Sequence, residues 1–379
     1  MLEHASPLRL RSALGLALAL TLGLAACMGE PARGDAPTLA EGGSGPAPEL
    51  GRPPIPSEAE CRECHPEAAA SWAASRHHDA YTNADFQRAY AREPVPFCRD
   101  CHAPGLAARA GSAALAPESA REAEALGVGC HDCHVEDAGG ALVVVSAPGR
   151  RPAAPHPLEL RDDFATRSCA RCHEFDFPSD SRRIGERMQL TMTEHRESAH
   201  AERSCGSCHL SGGDHSLASV RDPAALAAAL EVSATREADA LLLDLRPREV
   251  GHAFPTGDLY RRLELHAERR IDGELVADAT RYLDREWVEF RLRDGRINPR
   301  FREPVVDDRL RAPTRFELAL DGRSANGAES APPAGGEVRW WIDYERVDAR
   351  DDADPSASTL AGEVRLAEGR CTLAECERL

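Results

Sequence analysis

The sequence predicts an α-rich first part with little regular structure, followed by an all-β, sandwich-like C-terminal domain. Three observations carry this. A C-x-x-C-H frame recurs five times between Cys61 and His209, its first cysteines spaced 37, 32, 39 and 36 residues apart. That leaves too little chain between frames for a side-chain core, so short helices and loops are expected there. Beyond Arg221 the apolar period changes to two, punctuated by Pro/Gly-rich runs such as Pro332-Pro333-Ala334-Gly335-Gly336.

Residues 1–26 read as an export signal. Arg9 and Arg11 supply positive charge, Leu14 to Leu24 is apolar, and Leu24-Ala25-Ala26 sets small residues before Cys27. The run is too short to cross a bilayer. It resembles the lipobox of bacterial lipoproteins. That resemblance implies cleavage, acylation of Cys27 and lasting membrane attachment, with the periplasmic face of the outer membrane favoured. Residues 27–57, rich in Gly, Pro, Ala and Ser, form a lipidated flexible linker.

Composition narrows the function classes. Across 379 residues, 63 acidic side chains oppose 46 basic ones for a net charge of −17, and every basic residue is Arg. An acidic chain without a basic tract does not suit nucleic acid or electrostatic adhesion to anionic lipid. With only 5% aromatic residues, something other than side chains is expected to fill part of the interior.

The frames identify that filler. They are Cys61-x-x-Cys64-His65, Cys98-x-x-Cys101-His102, Cys130-x-x-Cys133-His134, Cys169-x-x-Cys172-His173 and Cys205-x-x-Cys208-His209. This is the attachment site of c-type haem. Two thiols reach the vinyl groups on one porphyrin edge, and the following imidazole meets the iron. Zinc sites and redox-active disulfides also use C-x-x-C, but neither calls for a His after every pair. Five covalent c-type haems are therefore expected in residues 58–220, forming much of that domain's core. Cys371 and Cys376 lie outside any frame and are expected to form a disulfide in the oxidising compartment.

Each iron has a second axial position. Met188 and Met192 are the only methionines beyond the signal and its cleavage site, and packing suits them better. Histidine is well supplied. Trp72-Ala-Ala-Ser75-Arg-His77 matches His195-Arg-Glu-Ser198-Ala-His200 on expected helices, favouring His77 and His200 as ligands over His78 and His195.

Here the chain resembles multihaem c-type cytochromes of the cytochrome c-552/4 class, related to the tetrahaem cytochromes of nitrifying bacteria. The resemblance rests on Cys61 to His77, on Gly127-Val128-Gly129-Cys130, and on Glu194 to His215, and it extends over about residues 58–260. It implies His215 as a distal ligand. The turn Gly251-His252-Ala253-Phe254-Pro255-Thr256-Gly257 resembles one found downstream of haem clusters, which makes His252 a candidate. His156, before a proline, completes the set of five, with His131 and His195 as alternatives. His266, in an alternating run, is expected at the surface.

Asp222-Pro223 starts a helix within a helical connector, 221–239. Alternating runs around Leu263, Trp287, Phe316 and Val338 then predict a β-sandwich over 240–348, leaving 349–379 as a tail. No nucleophile, phosphate loop or metal cluster stands out in the β part. It would cap the haems, donate His252 or meet a partner.

The expected function is electron transfer through mostly bis-His haems between periplasmic or membrane redox partner proteins. The alternative is a haem oxidoreductase of small nitrogen or sulfur compounds, such as nitrite or hydroxylamine, with one open iron. Pentahaem nitrite reductases use a lysine ligand at the catalytic haem, and this chain has no lysine.

Overall fold

The computed structural model describes residues 55–109, 117–139, 141–149, 154–177, 187–217, 222–257, 260–287, 293, 304–321, 335–351, 353–373 and 375–379. The expected signal, Cys27 and most of the linker lie outside the described residues. Among those residues, no helix is long and apolar enough to cross a membrane.

The first part is built from short helices: α1 (Glu58–Cys64), α2 (Pro66–Ala73), α3 (Ala84–Arg92), α4 (Cys98–His102), α5 (Pro104–Arg109), α6 (Pro117–Leu126) and α7 (Cys130–His134). Strands β1 (Val135–Asp137), β2 (Leu142–Ser146) and β3 (Leu158–Leu160) form one small sheet. Helix α8 (Phe164–His173) leads to β4 (Glu174–Asp176) and β5 (Arg187–Leu190), which pair with each other. Helices α9 (Thr191–Arg196) and α10 (Cys205–His209) complete the region. The two small sheets were not legible, because strands of three to five residues are too short to show a period.

Capping explains several helix starts. The Ser57 hydroxyl accepts from the Glu60 amide and the Glu60 carboxylate accepts from the Ser57 amide, a reciprocal box at α1. Asn83 caps α3 through the Phe86 amide. Asp222 caps α11 (Pro223–Ala228) through the Ala224 amide, with Pro223 at the first helical position as expected.

The expected connector holds more than a helix. After α11 the chain enters β6 (Leu230–Glu237), then β7 (Ala240–Pro247), β8 (Arg261–Ile271), β9 (Glu274–Leu283), β10 (Arg285–Trp287), β11 (Pro304–Asp307), β12 (Thr314–Ala319) and β13 (Glu337–Ala349). Nor is the expected tail a tail. It contains β14 (Thr359–Cys371), paired along most of β13, and β15 (Cys376–Arg378). Opposite Ile342 and Asp343 stand Ala367 and Arg365, so Leu366 is a bulged extra residue. A second extra residue, Ala361, lies between the partners of Arg346 and Val347, and these insertions break the alternation from which β14 could have been read.

Two antiparallel sheets result, ordered β12-β7-β6 and β15-β14-β13-β8-β9. They share one apolar core, with Leu241, Leu243 and Phe316 from the first and Leu263, Trp340 and Ile342 from the second. The alternation read from β13 holds: Val338, Trp340, Ile342 and Tyr344 enter that core. Its other face is covered along only part of its length: Asp343 and Glu345 are buried as well, whereas Arg339 is exposed. Cys371 and Cys376 form the expected disulfide, closing the β14–β15 hairpin.

Candidate haem sites

Each C-x-x-C-H frame is a single helical turn. The frame is the whole of α4, α7 and α10, it closes α8, and in the first frame α1 ends at Cys64 with His65 as its cap. A helical turn puts cysteines three residues apart on one side, with the imidazole following. None of the ten frame cysteines is in a disulfide. Cys101 lies beside Cys172, and Cys169 beside Cys205, so frame four adjoins frames two and five.

Local bonds orient these turns. The Glu58 carboxylate accepts from the amides of Cys130 (3.1 Å) and His131 (2.8 Å), tying the start of α7 to α1. The Nδ1 of His102 bonds the Ala80 carbonyl at 2.6 Å, and that of His134 bonds the Val145 carbonyl at 2.9 Å. A carbonyl on Nδ1 fixes the tautomer and leaves Nε2 for a metal.

Three distant histidines face frame imidazoles. His77 faces His173, His215 faces His134, and His252 faces His209, each pair with ring centres 6.3 Å apart. The ring planes meet at 81°, 35° and 13° respectively. The Nδ1 atoms of His215 and His252 bond the carbonyls of Gly213 (2.8 Å) and Ala253 (3.0 Å).

These separations test the fit of a haem iron. Two metal–imidazole bonds of about 2 Å, plus the reach from nitrogen to ring centre on each side, come to roughly 6 Å. The three pairs meet that length. Burial lowers the imidazole pKa of His77, His209 and His252. It pushes His173 down to about 4, with His77 and His209 adding to the effect. Neutral imidazole is the form that ligates metal.

The remaining candidates sit differently. His77 and His200 lie in turns after α2 and α9 rather than on helices. The matching serines build those turns: the Ser75 hydroxyl accepts from the His78 amide at 3.2 Å, and that of Ser198 from the His200 amide at 3.1 Å. The repeat is therefore a turn motif. His200 and His195 both flank Gly251, next to His252. Among the described residues, no ring contact brings either, or His156, against a frame imidazole. His156 bonds the Pro157 carbonyl through Nδ1 at 3.2 Å. His131 uses Nε2 on the Pro56 carbonyl at 2.7 Å, occupying the nitrogen a metal would need. His78 packs at a tilt against Trp72 with ring centres 4.4 Å apart. His266 is on the polar side as expected, but half-buried against Trp341 rather than a plain surface residue. Met192 is buried, in keeping with packing.

Gly127 explains why Gly127-Val128-Gly129 stands beside His77. Its φ is +66°, and a Cβ there would lie 2.5 Å from the His77 carbonyl oxygen and 2.4 Å from that of His78. The Val128 amide donates to the same His77 carbonyl at 2.8 Å. Only glycine permits that approach.

Sequence reasoning missed the support of the His252 turn. Glu194 accepts from Thr256 and the Ala253 amide, and from Arg309 of the β part. These residues are far apart in sequence and form no local motif.

Residues 60–135 match the family model described as cytochrome c554 and c-prime. The matched span holds the first three frames, Trp72, His77 and Gly127. A solved structure described as a penta-heme cytochrome c552 from Thermochromatium tepidum is similar with a TM-score of 0.58 at 19% identity, covering 83% of this chain and 98% of that one. That likeness is one of fold. No curated protein matches the chain. The family match and the repeated frames support a multihaem c-type cytochrome, an electron-transfer protein of covalent haem.

Proposed function

We propose that the chain carries five c-type haems and passes electrons among them between redox partner proteins. Ten thioether bonds would form at Cys61, Cys64, Cys98, Cys101, Cys130, Cys133, Cys169, Cys172, Cys205 and Cys208. His65, His102, His134, His173 and His209 would be the proximal ligands. The observation that carries the reading is the set of three imidazole pairs at 6.3 Å. It supports His77, His215 and His252 as distal ligands, which with two imidazoles on each iron favours electron transfer over ligand chemistry. The chain's own residues bury, orient and space the ligands, and haem supplies the redox couple. His200 and His156 stay as proposals for the first and second frames. We place the protein at the periplasmic face, tethered through acylated Cys27, with the outer membrane favoured.

A second reading has one observation in its favour. His65 is exposed and, among the described residues, faces no other ring, as an iron open to nitrite or hydroxylamine would require. One experiment separates the two. Protein matured with export and haem-ligation machinery should gain the mass of five haems and show low-spin ferric signals. Its spectrum should not change on adding nitrite or hydroxylamine. A high-spin component that shifts with either compound would establish the second reading.

A further inference from the structure

Resting on His252 as an axial ligand, we propose that Glu194 is a positioning residue for the iron of the fifth frame, setting through its carboxylate the orientation and donor strength of His252. Glu194 lies on α9 and is only 4% exposed. One of its carboxylate oxygens accepts from Arg309 Nη2 at 2.6 Å. The other accepts from the Thr256 hydroxyl at 2.6 Å and the Ala253 amide at 3.2 Å. The Ala253 carbonyl is in turn the partner of His252 Nδ1 at 3.0 Å. The carboxylate therefore stands one residue from the ring, bonded to the residue that orients it.

The rest of the turn is gripped in the same way. Arg309, itself buried, donates to the Pro255 carbonyl at 3.2 Å and is held by Asp307 through two 2.8 Å bonds. Buried Arg285 donates to the Gly257 carbonyl at 3.2 Å and the Met188 carbonyl at 3.1 Å. Ala253, Pro255, Thr256 and Gly257 are thus each fixed by a buried charged side chain. A buried ion pair is weak evidence for stability, because apolar residues of the same volume do as well. What this network supplies that apolar residues would not is direction, and hydrogen bonds behind a ligating His raise its basicity.

The test uses the haem-loaded protein and reads spin state and midpoint potentials by electron paramagnetic resonance during a redox titration. E194Q keeps the shape and removes the charge. It should raise the potential of one haem, with a partial high-spin signal from that haem, and leave the others unchanged. T256V keeps the carboxylate and its ion pair and removes the hydroxyl's bond to Glu194, together with its contact to Thr191. It should shift the same haem alone. H252A serves as the reference and should convert that haem fully to high spin. If T256V shows unaltered potentials and spectra at every haem, the proposal is overturned, even where E194Q fails to fold. If H252A leaves every haem low-spin, the axial assignment itself fails, and the positioning role with it.

Discussion

His77 and His173 face each other across 6.3 Å with their ring planes at 81°, although 96 residues of chain separate them. Gly127 and Val128, on a third segment, hold the backbone of His77 in place. The frame that meets His77 is the fourth, not the first frame beside it in sequence. Replacing His77 with Ala should therefore convert one haem of the set from low to high spin. H215A and H252A should each do the same to a different haem. H131A should change nothing, because its Nε2 is already bonded to Pro56. Absorption and electron paramagnetic resonance spectra check each variant, and three variants affecting one common haem would refute the pairing.

G127A should destabilise the first part of the fold and loosen His77 together. A left-handed backbone costs a non-glycine residue about 1–2 kcal/mol. The clash with two carbonyl oxygens adds to that, since neither is the end of a flexible side chain. Thermal unfolding followed at the haem absorbance should show a lower midpoint, with a partial high-spin signal before the transition. An unchanged midpoint would mean that the turn relaxes without penalty.

The parts of this molecule that were legible in the sequence are those whose chemistry needs contiguous residues. Thioether attachment demands Cys and His at fixed short offsets, so all five frames could be read, and cap residues such as Asp222 act within their own turn. Period-two strands such as β13 were legible for the same reason. Two kinds of feature were not. Bulges at Leu366 and Ala361 hid β14, and the ion pair between Glu194 and Arg309 joins residues 115 apart without any local pattern. The serine repeat around His77 and His200 was visible, but its physical basis is a turn and not a helix, and the repeat pairs only one of the two with a frame imidazole.

Stability should fall as pH rises toward and through neutrality, on account of one site in the β part. Burial pushes the Glu345 carboxyl from an ordinary 4.5 up to about 7, despite Arg262 beside it and with Glu264 reinforcing the shift. Arg262 Nε lies 2.5 Å from Glu345, and the neighbouring Glu264 carboxyl acts on Glu345 in the opposite sense. Between those two values the folded chain retains a proton that the unfolded chain releases. This site's contribution is thus complete below about pH 4.5 and lost as pH passes 7. E345Q stays neutral throughout and should flatten that slope. Unfolding midpoints measured between pH 5 and 8 decide it, and identical slopes in both proteins would rule the site out as the cause.

The Cys371–Cys376 bridge closes a small loop, with a sequence separation of 5. Chain-entropy arguments give such a loop about 2 kcal/mol of stabilisation. It clips β15 to β14 at the far edge of the five-stranded sheet. Replacing both cysteines with Ser should lower the unfolding free energy of the β part by about that amount, with haem spectra unaffected. Denaturant unfolding monitored by tryptophan fluorescence, alongside the haem spectrum, separates the two effects. A disturbed haem spectrum would show the hairpin to be coupled to the cofactors.

Withholding haem should divide the chain into a part that folds and a part that does not. Among the described residues, the apolar clusters of the first part are small, namely Val143, Val145, Phe164 and Ala165 in one and Ala103, Leu106 and Ala123 in the other. Ordering each residue costs about 1–2 kcal/mol of backbone entropy, and such clusters fall far short of offsetting that over residues 58–217. The β part has a single continuous core from Leu226 to Cys371 and should persist. Chain produced without haem-ligation machinery should be colourless. On limited proteolysis it should yield a resistant fragment starting close to Asp222, identified by mass spectrometry. A resistant fragment that retained residues 58–217 would show that the polypeptide alone suffices to order the first part.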